Sequence, residues 1–193
     1  MKKVTTIIAA LIISAASYAQ TWTLDKAHAK LGFTVTHLQV TDVDGMFKTF
    51  DASIASSKPD FSDAVFKMTA QTNSISTDND KRDAHLKSAD FFDVEKYPVM
   101  TFQSKSVSKT GKDKLKLTGD LTMHGITKTV VLDVSFRGPA IHPMTKKPVA
   151  GFKATGKIKR SEFKIGDSFP NAMVSDEVTI TANGEFQEGT PNP

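Results

Sequence analysis

The chain has 193 residues, of which 39% are hydrophobic and 24% charged, the size and balance of one globular domain rather than of a disordered or collagen-like chain. It has no cysteine, which excludes a disulfide scaffold, a thiolate metal site, a cysteine nucleophile and a lipid-modified N-terminal cysteine. The formal net charge of +4 is too small to make nucleic acid the main partner.

Residues 1–19 read as a cleavable signal peptide. Lys2 and Lys3 form a positive n-region, Ile7 to Ile13 an apolar run, and Ser17 and Ala19 occupy the small-residue positions before a cut after Ala19. The apolar run is shorter than the ~20 residues a membrane span needs, and no later segment approaches that length, so no transmembrane segment is expected. With no lipobox cysteine, the mature chain is expected in the periplasm or secreted. The expected domain covers residues 20–188, followed by a disordered tail over 189–193.

Within the domain the dominant pattern has period two, the signature of strands. Leu31, Phe33 and Val35 alternate with Gly32, Thr34 and Thr36. A weaker strand spans Met46 to Ile54, and Phe66, Met68 and Ala70 alternate with polar neighbours. The segment Thr77 to Phe92 breaks the pattern. Its Thr77–Asp80 start resembles a capping box, and Asp78, Asp80 and Asp83 suit a helix N-terminus, which predicts a helical insertion. A second weak strand spans Val99 to Val107. Leu115 to Met123 and Val130 to Phe136 form two strong strands around His124-Gly125, a hairpin signal. Gly138 to Val149, with Pro139, Pro143 and Pro148, reads as a loop. Strands over Phe152 to Ile158 and Val178 to Phe186 complete a set of about eight. The reading is an all-β fold with a short helical insertion, its strands antiparallel with one face solvated. The spacing leaves a closed eight-stranded barrel and a sandwich both open.

The inward positions mix large residues (Phe33, Phe66, Met68, Phe102, Phe136, Phe152, Phe186) with small ones (Ala70, Gly119, Ala154, Gly156, Ala182, Gly184). A packed barrel uses that mixture for tapering, and a ligand-holding barrel uses the small residues to leave space.

Chemical motifs are sparse. The histidines His28, His37, His85, His124 and His142 show no HExxH-type spacing, so no metal site is expected. There is no G-x-S-x-G, no dinucleotide fingerprint and no phosphate-binding loop. Asp90, Asp93 and Glu95 cluster beside the helix end, where a solvated capping region is the ordinary role. Arg82 and His85 share a helix face, either as part of a charged surface or facing a polar head group. Arg160 shares the parity of Ile158 and is expected inward, where it must be paired or meet a ligand.

In order along the chain, several segments resemble the YceI-like family. They are Trp22-Thr23-Leu24-Asp25, Phe33 to Leu38, Gly45-Met46-Phe47, Arg82 to Asp93, Tyr97-Pro98, Gly119 to Lys128, Arg160-Ser161-Glu162-Phe163 and Val174 to Val178. One departure is Lys164, where the family often places a glycine directly after Arg-x-x-Phe. The resemblance implies a lipocalin-like barrel of eight antiparallel strands with a helix packed across it. It also implies an apolar tunnel for a long isoprenoid chain, such as the tail of a quinone or polyprenyl phosphate. It supplies no catalytic residues and no cofactor beyond that lipid ligand.

The expectation is therefore a non-enzymatic binding or carrier protein for a polyisoprenoid or other long-chain amphiphile. Phe33, Val35, Phe66, Met68, Phe102, Leu115, Leu117, Phe136 and Phe152 are the expected tail-binding residues, and His37, Arg82 and His85 the head-group residues. Two alternatives stand beside it. One is a stress-responsive extracytoplasmic protein with a filled barrel and a protein partner, and the other is an extracytoplasmic hydrolase. A homodimer is compatible with the strand pattern but not indicated by it.

Overall fold

The computed structural model describes residues 19–189. The expected signal peptide, except for Ala19, and residues 190–193 of the expected tail lie outside the described residues.

The elements in chain order are β1 (Gln20–His37), β2 (Thr41–Phe47), β3 (Phe50–Ser56), β4 (Val65–Gln71), β5 (Ile75–Ser76), α1 (Asp80–Lys87), β6 (Val99–Gly111), β7 (Lys114–Met123), β8 (Ile126–Ile141), β9 (Pro148–Lys159) and β10 (Glu177–Glu188). The strands form one antiparallel sheet in the order β10-β9-β8-β7-β6-β4-β3-β1-β2-β5, and β10 closes it by pairing with β1. Closure removes the free edges that an open sheet would expose.

The expected Met46–Ile54 strand is broken at Lys48-Thr49. β2 pairs with the C-terminal half of β1, from Leu31↔Phe47 to His37↔Thr41, while β3 pairs with its N-terminal end, from Gln20↔Ser56 to Thr23↔Ser53. β2 and β3 are thus one bent stave, and β4 and β5 are another, bent at a 3-10 turn over Thr72–Ser74. Counted this way the ring has eight staves, and the choice left open between barrel and sandwich falls to the closed barrel.

Three expectations about local structure are corrected. β1 starts at Gln20, well before the alternation becomes visible at Leu31, because a bulge between Asp25 and Ala29 shifts the pairing with β10 and destroys the period of two. The loop expected over Gly138–Val149 shrinks to residues 142–147, since β8 continues to Ile141 and β9 starts at Pro148. An irregularity between Arg137 and Ala140 takes up Gly138 and Pro139, and Pro148 stands at the first position of its strand, where its missing N–H is tolerated. The helix is confined to Asp80–Lys87, and its N-cap is Asn79 rather than Thr77. The His124-Gly125 hairpin forms as expected, with φ of 52° and 72°, the paired positive values of a type I′ turn.

Two differently built ends result. At one end, the connection over residues 57–64 between β3 and β4 turns Phe61 into the bore, where this residue, 0% exposed, lies edge-on to Trp22, Phe136 and Phe152 with ring centroids 5.3, 5.3 and 4.8 Å away. Asp63 fixes this plug by accepting from the Ser56 and Ser57 hydroxyls and the Ser57 N–H. Burial pushes the Asp63 carboxyl up, but those hydrogen bonds outweigh it and hold the group far below the usual carboxylate range. At the other end lie the β1–β2 turn, α1, the β7–β8 hairpin and the β9–β10 connection.

Candidate functional site

Between the plug and the helical end the barrel encloses a cavity of about 430 Å³, within the ~300–1,000 Å³ range of small-molecule sites. Both earlier readings of the interior are therefore realised, one at each end. Of the inward glycines only Gly184 borders the cavity; a Cβ on Gly119 would lie 2.5 Å from the Phe102 ring, and one on Gly156 would lie 2.5 Å from Leu132. Gly119 and Gly156 admit neighbouring side chains, as in a tapered core, whereas Ala154 and Ala182 border the open volume with Gly184.

The wall carries Phe33 and Val35 from β1, Phe66 and Met68 from β4, Phe102 from β6, Leu117 from β7 and Phe152 from β9, all expected as tail-binding positions. Leu115 and Phe136 are not on the wall. Strand parity turns them inward as expected, but Leu115 is packed at the plugged end and Phe136 lies against Phe61 and stacks on Phe152. Parity says which face a residue occupies; it does not reveal that a distant loop fills that stretch of bore.

His37, Arg82 and His85, the expected head-group residues, come together on the cavity wall at the helical end. The local sequence explains their placement. The Asn79 side chain accepts the Arg82 N–H at 3.0 Å and so starts the helix. Buried Thr77 donates its N–H and hydroxyl to Asp83, and its own oxygens accept from Arg82 Nε at 2.7 Å and Nη2 at 2.8 Å. Burial raises the Asp83 carboxyl, and the Thr77 bonds more than offset this, leaving it below its ordinary value. His85 contacts Asp90 at 3.2 Å and lies edge-on to Phe91 and Phe169, which stack with centroids 4.8 Å apart. The Phe91–Phe169 pair forms an aromatic cap on the cavity that no local pattern announces: Phe91 lies beyond the end of the helix expected to include it, and Phe169 lies outside any alternation.

Arg160 is inward, as its parity predicts, and only 5% exposed. It is paired with backbone rather than with a carboxylate. Nε donates to the Ser175 carbonyl, Nη1 to those of Ile165 and Gly166, and Nη2 to those of Phe169 and Val174 and to Asn171 Oδ1. The arginine thereby shapes the whole β9–β10 connection. In the same segment Lys164, at the position where a glycine was expected, takes φ 55°, the left-handed conformation that glycine adopts most freely.

Away from the cavity, Asp25, His28 and Glu185 bring ligand-type atoms within 4.8 Å of one another. Sequence spacing gives no sign of this convergence, because Glu185 reaches Asp25 only through the β1–β10 register. His28 Nδ1 lies 2.8 Å from Asp25, whose hydrogen bond raises the imidazole and lowers the carboxyl from their ordinary values.

Comparison with known proteins gives a consistent result. The family profile of the YceI-like domain matches residues 22–186. The YceI protein of Salmonella newport is 36% identical, over 95% of this chain and 96% of its own. The structure of a Campylobacter jejuni YceI protein superposes with a TM-score of 0.71 at 37% identity, covering 87% of this chain and 98% of that one. A polyisoprenoid binding domain from Saccharophagus degradans shares the fold at 16% identity, with a TM-score of 0.64 over 87% of this chain and 98% of its own.

Proposed function

The chain belongs to the YceI-like domain family, and from that premise we propose that it is a non-enzymatic binding or carrier protein. It holds a long isoprenoid chain, of the quinone or polyprenyl phosphate type, inside the barrel. The observation that carries this reading is the apolar cavity, stopped at one end by Phe61 and bordered at the other by His37, Arg82 and His85. The Saccharophagus domain of the same fold, which binds polyisoprenoids, supports it. Burying the tail stabilises the complex by about 25 cal/mol per Å² of apolar surface removed from water, less the rotamer freedom that the tail gives up. The signal-like pattern of residues 1–19 supports a periplasmic or secreted location as part of this proposal, with the mature chain starting at Gln20.

The test is lipid extraction and mass spectrometry on protein purified from the periplasm without detergent, with intact mass measured on the same sample. A stoichiometric polyprenyl species on a chain starting at Gln20 is expected. An empty protein that takes up neither quinones nor polyprenyl phosphates in vitro overturns the reading. Phe66→Lys, which sets a charge into the wall, weakens tail binding far more than Arg82→Ala; the reverse order contradicts a tail-driven site.

A further inference from the structure

The cavity wall is electrostatically one-sided. Its charged members are Lys67, Arg82 and Arg160 and its imidazoles are His37 and His85, while no Asp or Glu contributes to it among the described residues. The chain as a whole is not so biased, with 21 Asp and Glu beside 25 Lys and Arg. Lys67 alternates outward between Phe66 and Met68 on β4, so the two arginines carry the effect. Three carboxylates near them are committed elsewhere. Asp83 takes the Thr77 donors, Asp176 the Ser161 N–H, and Asp90 pairs with His85. Neither arginine forms an ion pair among the described residues.

The two arginines differ in what they can offer. Arg160 spends every N–H on the β9–β10 connection and contributes charge alone. Arg82 uses Nε–H and one Nη2–H on Thr77, which leaves three of a guanidinium's five donors without a protein partner among the described residues. Arg82 is itself exposed where it borders the bore, and a charge pair at a protein surface attracts more strongly than one in open water, though less than a buried pair.

We infer that the cavity takes single-chain amphiphiles with an anionic head, a phosphate monoester or a carboxylate, in preference to alcohols, phenols or quinones on the same tail. Arg82 donates the hydrogen bonds and Arg160 adds background charge. The inference rests on the carrier reading, and the experiment separates the two. Geranylgeranyl phosphate, geranylgeranoate and geranylgeraniol are titrated calorimetrically below their micelle concentrations. Both anions are expected to bind about tenfold or more tighter than the alcohol, the order of one charge-assisted hydrogen bond at an open mouth. That advantage shrinks in about 0.5 M salt and in Arg82→Gln, whose fold is checked separately by its circular dichroism and thermal unfolding. If Arg82→Gln also loses the alcohol, the salt series on the unaltered protein decides. A phosphate that outruns the carboxylate identifies a prenyl phosphate, and equal anions identify charge alone. Alcohol binding as tight as that of the anions overturns the inference and leaves the carrier reading standing. Failure of all three to bind overturns both.

Discussion

Replacing Arg160 with methionine tests how the mouth of the barrel is held. The guanidinium makes six contacts of 2.6 to 3.2 Å, five of them to backbone carbonyls. The Ile165 and Gly166 carbonyls are bonded in buried surroundings, whereas the other acceptors are partly exposed and water can reach them. An acceptor left unsatisfied in the interior costs about 1–3 kcal/mol, so the two buried ones set an expected loss of about 2–6 kcal/mol. Against a typical domain stability of about 5–15 kcal/mol that is a large fraction. If the β9–β10 connection melts locally instead, melting caps the cost. Urea unfolding followed by Trp22 fluorescence reads the global term, because Trp22, on β1, packs against the plug residue Phe61 at the opposite end. Hydrogen exchange over residues 160–176 reads the local one. The reasoning fails if Arg160→Met keeps its stability within about 0.5 kcal/mol and exchange in that segment is unchanged.

Phe61→Ala is expected to lose about 3–5 kcal/mol in guanidinium unfolding, since the fully buried ring contacts three aromatic neighbours; a loss under 1 kcal/mol would show that the plug collapses around the gap. Asn79→Ala removes the cap of α1 and costs the helix about 0.5–2 kcal/mol, visible as faster amide exchange over Asp80–Lys87, while Asn79→Asp restores protection. Because the folded Asp63 carboxyl titrates far below its ordinary value, its contribution is complete above about pH 4 and drains away as the pH falls further. The stability gap between the unaltered protein and Asp63→Asn is therefore wide at pH 7 and narrows at pH 3, and a gap independent of pH contradicts the assignment.

How legible this was depended on whether the information was local. Strands such as Lys114–Met123 declare their faces because side chains alternate at every residue, and a family resemblance carried the step from strands to a lipid-binding barrel. The first half of β1 was hidden because its bulge, over Asp25 to Ala29, is defined only by pairing with β10. Phe61 was hidden more completely. It follows Lys58-Pro59-Asp60, a sequence that reads as a polar turn, and only the closed ring supplies the bore it enters. The head-group trio was half legible. Arg82 and His85 are one helical turn apart, but His37 joins them only through the sheet.

The seam where β10 meets β1 has a kinetic consequence. Thr23 and Gln187, which pair across it, are 164 residues apart in sequence. Every other neighbouring pair of staves can zip from a nearby turn or connection, whereas this one must gather both ends of the domain and pay the full entropy of loop closure first. Such long-range pairings slow folding. Until the seam closes, the nascent sheet carries two naked edges, each able to pair with another copy of itself.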